Sequence, residues 1–486
     1  MPRNSVARWL AAGAFLLLLL PLQAEIRAIW AVPWGLETPA RIDSFLSAAA
    51  AARITDVFVE VRYRADALYQ TNRVPDNFPN PEPRSHILTD PGFDPLSYAL
   101  EHGHKRNLRV HAWFVAFNAA PLNTQLLKAN YIHQNHPGWF TRSQKSTDPK
   151  DAAQFGYFLD PGLPEVQDYL LNVLGDLLSG YPELDGLQLD YVRYPGSSQG
   201  HHPDAVARFE TRTEPILSWN QWRIQQVTDF VAKARALADS LNPGLVFSAA
   251  VIPEYRQAID LYAQDWHNWL LLGLVDFVYP MVYDQELADF TANLCALGKL
   301  RHPEGIVVGI RAWNDDGSTL LPQQNAYSYS INDVEERILA IRNLGFAGHS
   351  LFSYKGLLPG NALARLATSA YADSILAAQK ISPYQPSHQG RDRFAAYVSL
   401  QAAGRFYQLD LLIPKAGTWQ LEVRDIQGRV FYQRDTYYLQ GYSQDSWNGV
   451  LETGEILAPG SYIVSMLRVG DSYRYLIPVF VEALQT

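Results

Sequence analysis

Between residues 27 and 354, short runs of β-branched and aromatic residues alternate with longer stretches whose apolar positions recur every three to four residues. The short runs predict strands at RAIWAV (27–32), DVFVEVR (56–62), LRVHAWFV (108–115), GLQLDYV (186–192), LVFSAAVI (245–252), VDFVYPMVY (275–283), IVVGIR (306–311) and AGHSLFSY (347–354). The longer stretches predict helices. Residues 164–178 open on Pro164 and Glu165 and place Val166, Leu170, Val173, Leu174 and Leu177 on one side. Residues 218–241 do the same with Val227, Phe230, Ala234, Leu237 and Leu241, and stop at Asn242-Pro243-Gly244. Residues 333–344 repeat the pattern with Val334, Ile338 and Ile341 before Gly345.

Strand followed by helix, eight times over, predicts an α/β (β/α)₈ barrel across residues 25–380. A doubly wound open sheet is the competing arrangement, but the turn after its first strand is glycine-rich, and here that turn reads VPWGLET. The stretch ISPYQPSHQG (381–390) then reads as a linker. Beyond it the helical period stops. Alternating runs such as FYQLDLLI, TWQLEVRD and SYIVSMLRV predict a small all-β sandwich over residues 391–486. Within it, WNGVLETGEILAPGSYIV (447–464) resembles the closing strands of Ig-like modules at the C-termini of exported bacterial proteins. The resemblance implies a docking or supporting role at the envelope.

The first residues change the picture of where the chain acts. Arg3 and Arg8 precede AAGAFLLLLLPL, and LQA follows at 22–24, the layout of a secretory signal peptide over residues 1–24, with an uncleaved anchor as the alternative. Export to the periplasm or outside of a bacterium is expected, without membrane insertion after cleavage. Cys295 is the single cysteine, so no intrachain disulfide forms. A net charge of −9 argues against nucleic acid and anionic membrane surfaces as partners. Aromatics at 12% suit a sugar-binding cleft or a β-rich core.

Barrel chemistry collects at the C-terminal strand ends, and alternation along each strand separates interior from exterior. In GLQLDYV, Gln188 and Asp190 share the interior phase, because Leu187, Leu189 and Tyr191 belong under the helices. In DVFVEVR, Phe58, Glu60 and Arg62 share it, with Glu60–Arg62 open to reading as a buried structural ion pair. His111 and Trp113 are in phase in the third strand. Tyr283 and Asp284 end the sixth, where alternation admits one inward or a bulge. Arg311 and Trp313 follow the seventh, and Tyr354 ends the eighth. The catalytic candidates are Asp190 with Asp284 first as its partner, then Glu60 or Glu254. The candidate substrate contacts are Trp30, Arg62, His111, Trp113, Gln188, Arg193, Tyr194, Tyr283, Arg311, Trp313 and Tyr354. Trp34 joins Trp30, Trp113 and Trp313 as a platform at the same barrel end, and Tyr69, Phe78, Tyr131, Trp139 and Phe140 lie in long loops. His201-His202 lacks a metal-ligand spacing, so no metal or other cofactor is expected.

The segments DPGFDPLSYALEHGHKRNLRVHAWF (90–114), LDPGLPEVQDYLL (159–171) and DGLQLDYVRYP (185–195) resemble the glycoside-hydrolase-like ten domain of bacterial exported proteins. EVRYRADALY (60–69) and DFVYPMVYD (276–284) fit the same pattern. The resemblance implies a glycosidase-like barrel of the bacterial envelope acting on peptidoglycan glycan, with Asp190 at the family's acidic position and Glu60 where glutamine is frequent. DGLQLD and MVYD also resemble motifs of the chitinase-type family 18 enzymes, but Val192 stands where their acid glutamate would be. The expected function is cleavage of glycosidic bonds by carboxylate acid/base catalysis; the alternative is a silent glycan-binding or scaffold protein.

Overall fold

Burial of alternate side chains on both faces is what turns these short apolar runs into parallel strands. In the computed structural model, all eight strands form within two residues of their expected bounds. They are β1 (Ile26–Ala31), β2 (Asp56–Tyr63), β3 (Arg109–Val115), β4 (Gly186–Asp190), β5 (Val246–Val251), β6 (Phe277–Val282), β7 (Val307–Arg311) and β8 (Gly348–Phe352). The structure describes residues 25–372 except 76, 91, 154, 213–217, 301, 314–328 and 358–361, and residues 397–481 except several short turns. The expected signal peptide and the 381–390 linker lie outside the described residues.

Each strand pairs in parallel with its chain neighbours, and β1 pairs with both β2 and β8, so the sheet closes into an eight-stranded barrel. Its interior is filled by Ile26, Ala28, Trp30, Phe58, Phe277 and Tyr279, among others. The opposite phase, with Val57, Val59, Leu187 and Leu189, joins the larger core under the helices. Helix α1 (Pro164–Gly180) starts on proline and buries the expected Val166, Leu170, Val173, Leu174 and Leu177. Helix α2 (Trp219–Leu241) starts from a capping box in which Ser218 and Gln221 satisfy each other's backbone N–H. Among the described residues no helix is long and apolar enough to cross a membrane.

The C-terminal strands form two antiparallel sheets. One contains β9 (Tyr397–Ala403), β10 (Phe406–Ile413) and β13 (Gly441–Trp447); the other contains β11 (Gly417–Arg424), β12 (Val430–Tyr438), β14 (Gly460–Arg468) and β15 (Arg474–Val481). Tyr407 and Leu411 of the first share a core with Trp419, Leu421, Val464 and Met466 of the second. Tyr437 and Leu439 pack against the barrel's core.

Candidate active site

β2 brings the first carboxyl to the C-terminal mouth. Phe58 lies opposite His111 and Glu60 opposite Trp113, but Arg62 lies opposite Phe114, so Val61 is an extra residue in the strand. This bulge reverses the phase of alternation. Glu60 faces the barrel cavity and Arg62 does not. The Arg62 guanidinium instead pairs with Glu82 at 2.7 Å, donates to the carbonyls of Val115 and Ala116, and lies over the Phe114 ring. Glu82 also accepts from the Tyr169 hydroxyl at 2.6 Å. Arg62 is thus a structural cation outside the cavity, and its ion-pair partner is Glu82 rather than Glu60.

β4 brings the second carboxyl. Tyr191, the next residue, turns into the left-handed region at φ 49°, and this ends the strand. The turn aims the Tyr191 N–H at Asp190 Oδ1, 2.6 Å away, while Trp113 Nε1 donates to Oδ2 at 3.0 Å. The Arg193 guanidinium lies between the rings of Tyr191 and Tyr262, 5.0 and 4.8 Å from their centroids. It adds positive potential at Asp190 without an ion-pair contact among the described residues.

The two carboxyls are supported unequally. Burial raises the Asp190 pKa, while the Tyr191 N–H, the Arg193 charge and the Trp113 N–H oppose the rise. Glu60, only 5% exposed, accepts no hydrogen bond from any described residue. Burial and then the charge of Asp190 push its pKa well above the ordinary value, with Arg64 acting weakly against them. Of two carboxyls sharing one cavity, Asp190 is equipped to be ionised and Glu60 to keep its proton.

An aromatic wall completes the mouth. Tyr283 stacks on Phe352 with centroids 5.6 Å apart and planes at 24°, and meets the edge of Trp313 at 5.0 Å. Trp113 meets Phe352 edge-on at 6.0 Å. The pKa of the Tyr283 hydroxyl is raised well above its usual range by burial and then by the charge of Asp190.

Alternation holds along β6, so Tyr283 continues the inward phase of Phe277 and Tyr279. Asp284 therefore faces out, where it accepts a hydrogen bond from Asn293 on the next helix at 2.7 Å. This corrects the expectation that Asp284 is the first partner of Asp190: the carboxyl whose pKa the Asp190 charge raises is Glu60. Glu254 accepts from the N–H groups of Arg256 and Gln257 and caps the helix Tyr255–Tyr262.

Several expected substrate contacts lie elsewhere. Trp30 Nε1 donates to Gln188 Oε1 at 2.6 Å, and both side chains are buried as packing below the mouth. His111 sits at the far end of the barrel, bonded to Asp56 at 2.7 Å. Tyr194 is buried behind its strand with Arg223 over its ring at 4.4 Å. Tyr354 packs on Phe45 outside the barrel. Arg311 donates to the Trp313 carbonyl at 3.0 Å and lies over the Trp313 ring at 4.9 Å. Among the loop aromatics, Tyr69 and Phe140 are buried and Trp139 stacks on His136 at 3.7 Å, so these three pack within their loops. The mouth thus gathers Glu60, Trp113, Asp190, Arg193, Tyr283 and Trp313 from the expected residues.

It adds Arg64 and Phe352, which sequence reasoning passed over, and Tyr191, which strict alternation placed under the helices. For Phe352 the signal existed, since it precedes Tyr354 by two and shares its phase. Among the described residues no group of three or more His, Cys, Asp or Glu is placed to hold a metal ion.

The family model described as glycosyl hydrolase-like 10 matches residues 25–311, a span that runs through β7 and contains both carboxyls. Glycosyl hydrolase DigH of Escherichia coli (strain K12) is 27% identical over 262 residues, covering 47% of this chain and 54% of that protein. Glycosyl hydrolase YngK of Bacillus subtilis (strain 168) is 26% identical over 253 residues, covering 47% and 45%. The chain spans about half the length of the curated relatives it matches. Among solved structures, the endo-β-1,4-mannanase from Thermotoga petrophila is similar at 11% identity and a TM-score of 0.43, over 95% of this chain and 98% of that one. The chain belongs to the glycosyl hydrolase-like 10 family.

Proposed function

We propose that the protein is an exported glycoside hydrolase of a bacterial envelope, and that it cleaves the glycan strands of peptidoglycan. One observation carries the hydrolytic part: two buried carboxyls, Glu60 and Asp190, share an aromatic-walled mouth, and among the described residues only Asp190 is furnished with donors. Family membership and the relatives' description as glycosyl hydrolases support the same reading. The N-terminal pattern of Arg3, Arg8 and the following leucine run supports export.

In this mechanism Glu60 donates its proton to the leaving glycosidic oxygen. Ionised Asp190 either attacks the anomeric carbon or activates water beside it, and offsets the positive charge that develops on the sugar ring. Tyr283, Trp313 and Phe352 offer ring faces to the sugar, and Trp113 keeps Asp190 oriented. Asp190→Asn should keep the wild-type melting temperature and lower turnover of peptide-free glycan strands about 10²- to 10⁴-fold, measured by mass analysis of the products. Wild-type strands bound but never shortened would leave a glycan-binding protein instead.

A further inference from the structure

At the barrel rim, between the turns that follow β1 and β8, lies a cavity of about 250 Å³ that takes no part in the carboxyl pair. Val32, Trp34, Arg41, Ser44, Tyr354 and Lys355 are among the residues that line it. We infer that this cavity is a second sugar subsite, built for a ring that carries a carboxylate. The inference rests on the glycosidase reading, since it extends the path of the same polymer away from the mouth.

Three features of the cavity lead there. The first is Trp34, which is 46% exposed yet held edge-on against Tyr63 with centroids 5.4 Å apart. A large ring fixed in place with half its surface exposed is suited to stacking, and aromatic faces suit the C–H face of a pyranose. The second is charge. Arg41 is already engaged, donating to the Trp34 carbonyl at 2.6 Å and pairing with Glu37 at 2.9 Å, so it braces the platform. The Lys355 ammonium has no hydrogen-bond or ion-pair partner among the described residues, and it stands exposed at the cavity's edge. An uncharged sugar leaves that cation without a complement; a carboxylate supplies one.

The third feature is continuity. Val32 and Phe352 both pack on the barrel's interior cluster, and Phe352 forms the mouth's aromatic wall two residues before Tyr354 lines the rim cavity. A saccharide lying across Phe352 therefore reaches Tyr354 and Trp34 without leaving the protein surface. The cavity is below the size of pockets that hold drug-sized ligands, and a single ring is its natural occupant.

The test compares two probes: peptide-free glycan strands with their lactyl carboxylates intact, and the same strands with those groups converted to methylamides. On the intact strands Lys355→Gln should raise KM about threefold to fivefold with kcat unchanged, and Lys355→Arg should restore most of the loss. On the neutralised strands wild type and Lys355→Gln should share one KM. Trp34→Ala should raise KM on both probes by roughly fivefold to tenfold. The same comparison is made by the Kd of the Asp190→Asn protein, with and without the Lys355 change, which needs no turnover. Absence of wild-type cleavage then counts against the hydrolase reading alone. A Lys355→Gln effect that is missing, or equal on both probes, overturns the subsite.

Discussion

Two carboxylate sites face the same barrel interior from opposite ends, and they are built in opposite ways. At the N-terminal end, Asp56 accepts from Arg109 at 2.7 Å, meets His111 at 2.7 Å and accepts from the Thr55 hydroxyl at 2.5 Å. Burial alone would raise its pKa, but the Arg109 charge and the His111 hydrogen bond outweigh it and hold the carboxyl well below the usual range. At the C-terminal end, Glu60 has equal burial, no donor among the described residues and a second carboxyl for company. The sheet that saturates one acid with partners starves the other. A fully partnered carboxylate stabilises a fold; an unpartnered one is held in a state it can leave by giving up a proton.

The largest expected effect tests the mouth. Glu60→Gln should lower kcat about 10²- to 10⁴-fold, read on the same glycan strands. Its effect on stability has a definite sign. The folded-state pKa of Glu60 is raised above the ordinary 4.5, so its contribution is intact below that pH and is lost as pH rises toward the folded value. Glutamine cannot ionise. The variant should therefore melt at the wild-type temperature near pH 4 and increasingly above it as pH rises to 8, followed by calorimetry. A variant that melts lower at pH 8 would mean that Glu60 is partnered like Asp56.

Next comes the floor. Asp56→Ala leaves Arg109 and His111 without their anion and should cost about 3 kcal/mol of stability, measured by chemical denaturation. The kcat per folded molecule should stay within about twofold of wild type, since none of the three groups reaches the mouth. Loss of activity without loss of stability would erase the distinction between the two ends.

The smallest effect sharpens the division of roles inside the mouth. Trp113→Phe keeps a ring but removes the N–H that favours ionised Asp190. The Asp190 pKa should rise, and the acidic limb of the kcat/KM profile should move up by about one pH unit. A shift of the alkaline limb instead would exchange the roles of Asp190 and Glu60.

The fold was legible because eight short runs carry the signature of strands buried on both faces, with helical periods between them. Alternation also found the two carboxyls, since Glu60 and Asp190 lie within unbroken stretches of strand. It failed where the backbone stops alternating. The bulge at Val61 turned Arg62 outward, and nothing in DVFVEVRY marks an extra residue there. Tyr194 and Tyr354 lie past the ends of their strands, where the chain has already bent under the helices. Gln188 was correctly phased inward and Trp30 was placed at the mouth end, but depth in the barrel follows from closure of the sheet, so buried packing and mouth residues look alike along one strand. The left-handed turn at Tyr191 had no signal at all, because tyrosine is not a residue that favours it.

The extra residue in β2 decides what stands beside the acid at position 60. With Val61 present, the strand sends an acid inward at 60 and a cation outward at 62. A register without the bulge, with Val61 rather than Arg62 opposite Phe114, would turn the guanidinium into the cavity beside Glu60, where the two would neutralise each other. The barrel would keep its core and its aromatic wall, while the acid at position 60 became half of a salt bridge. One residue of strand register thus decides whether the acid at position 60 stands alone or is paired.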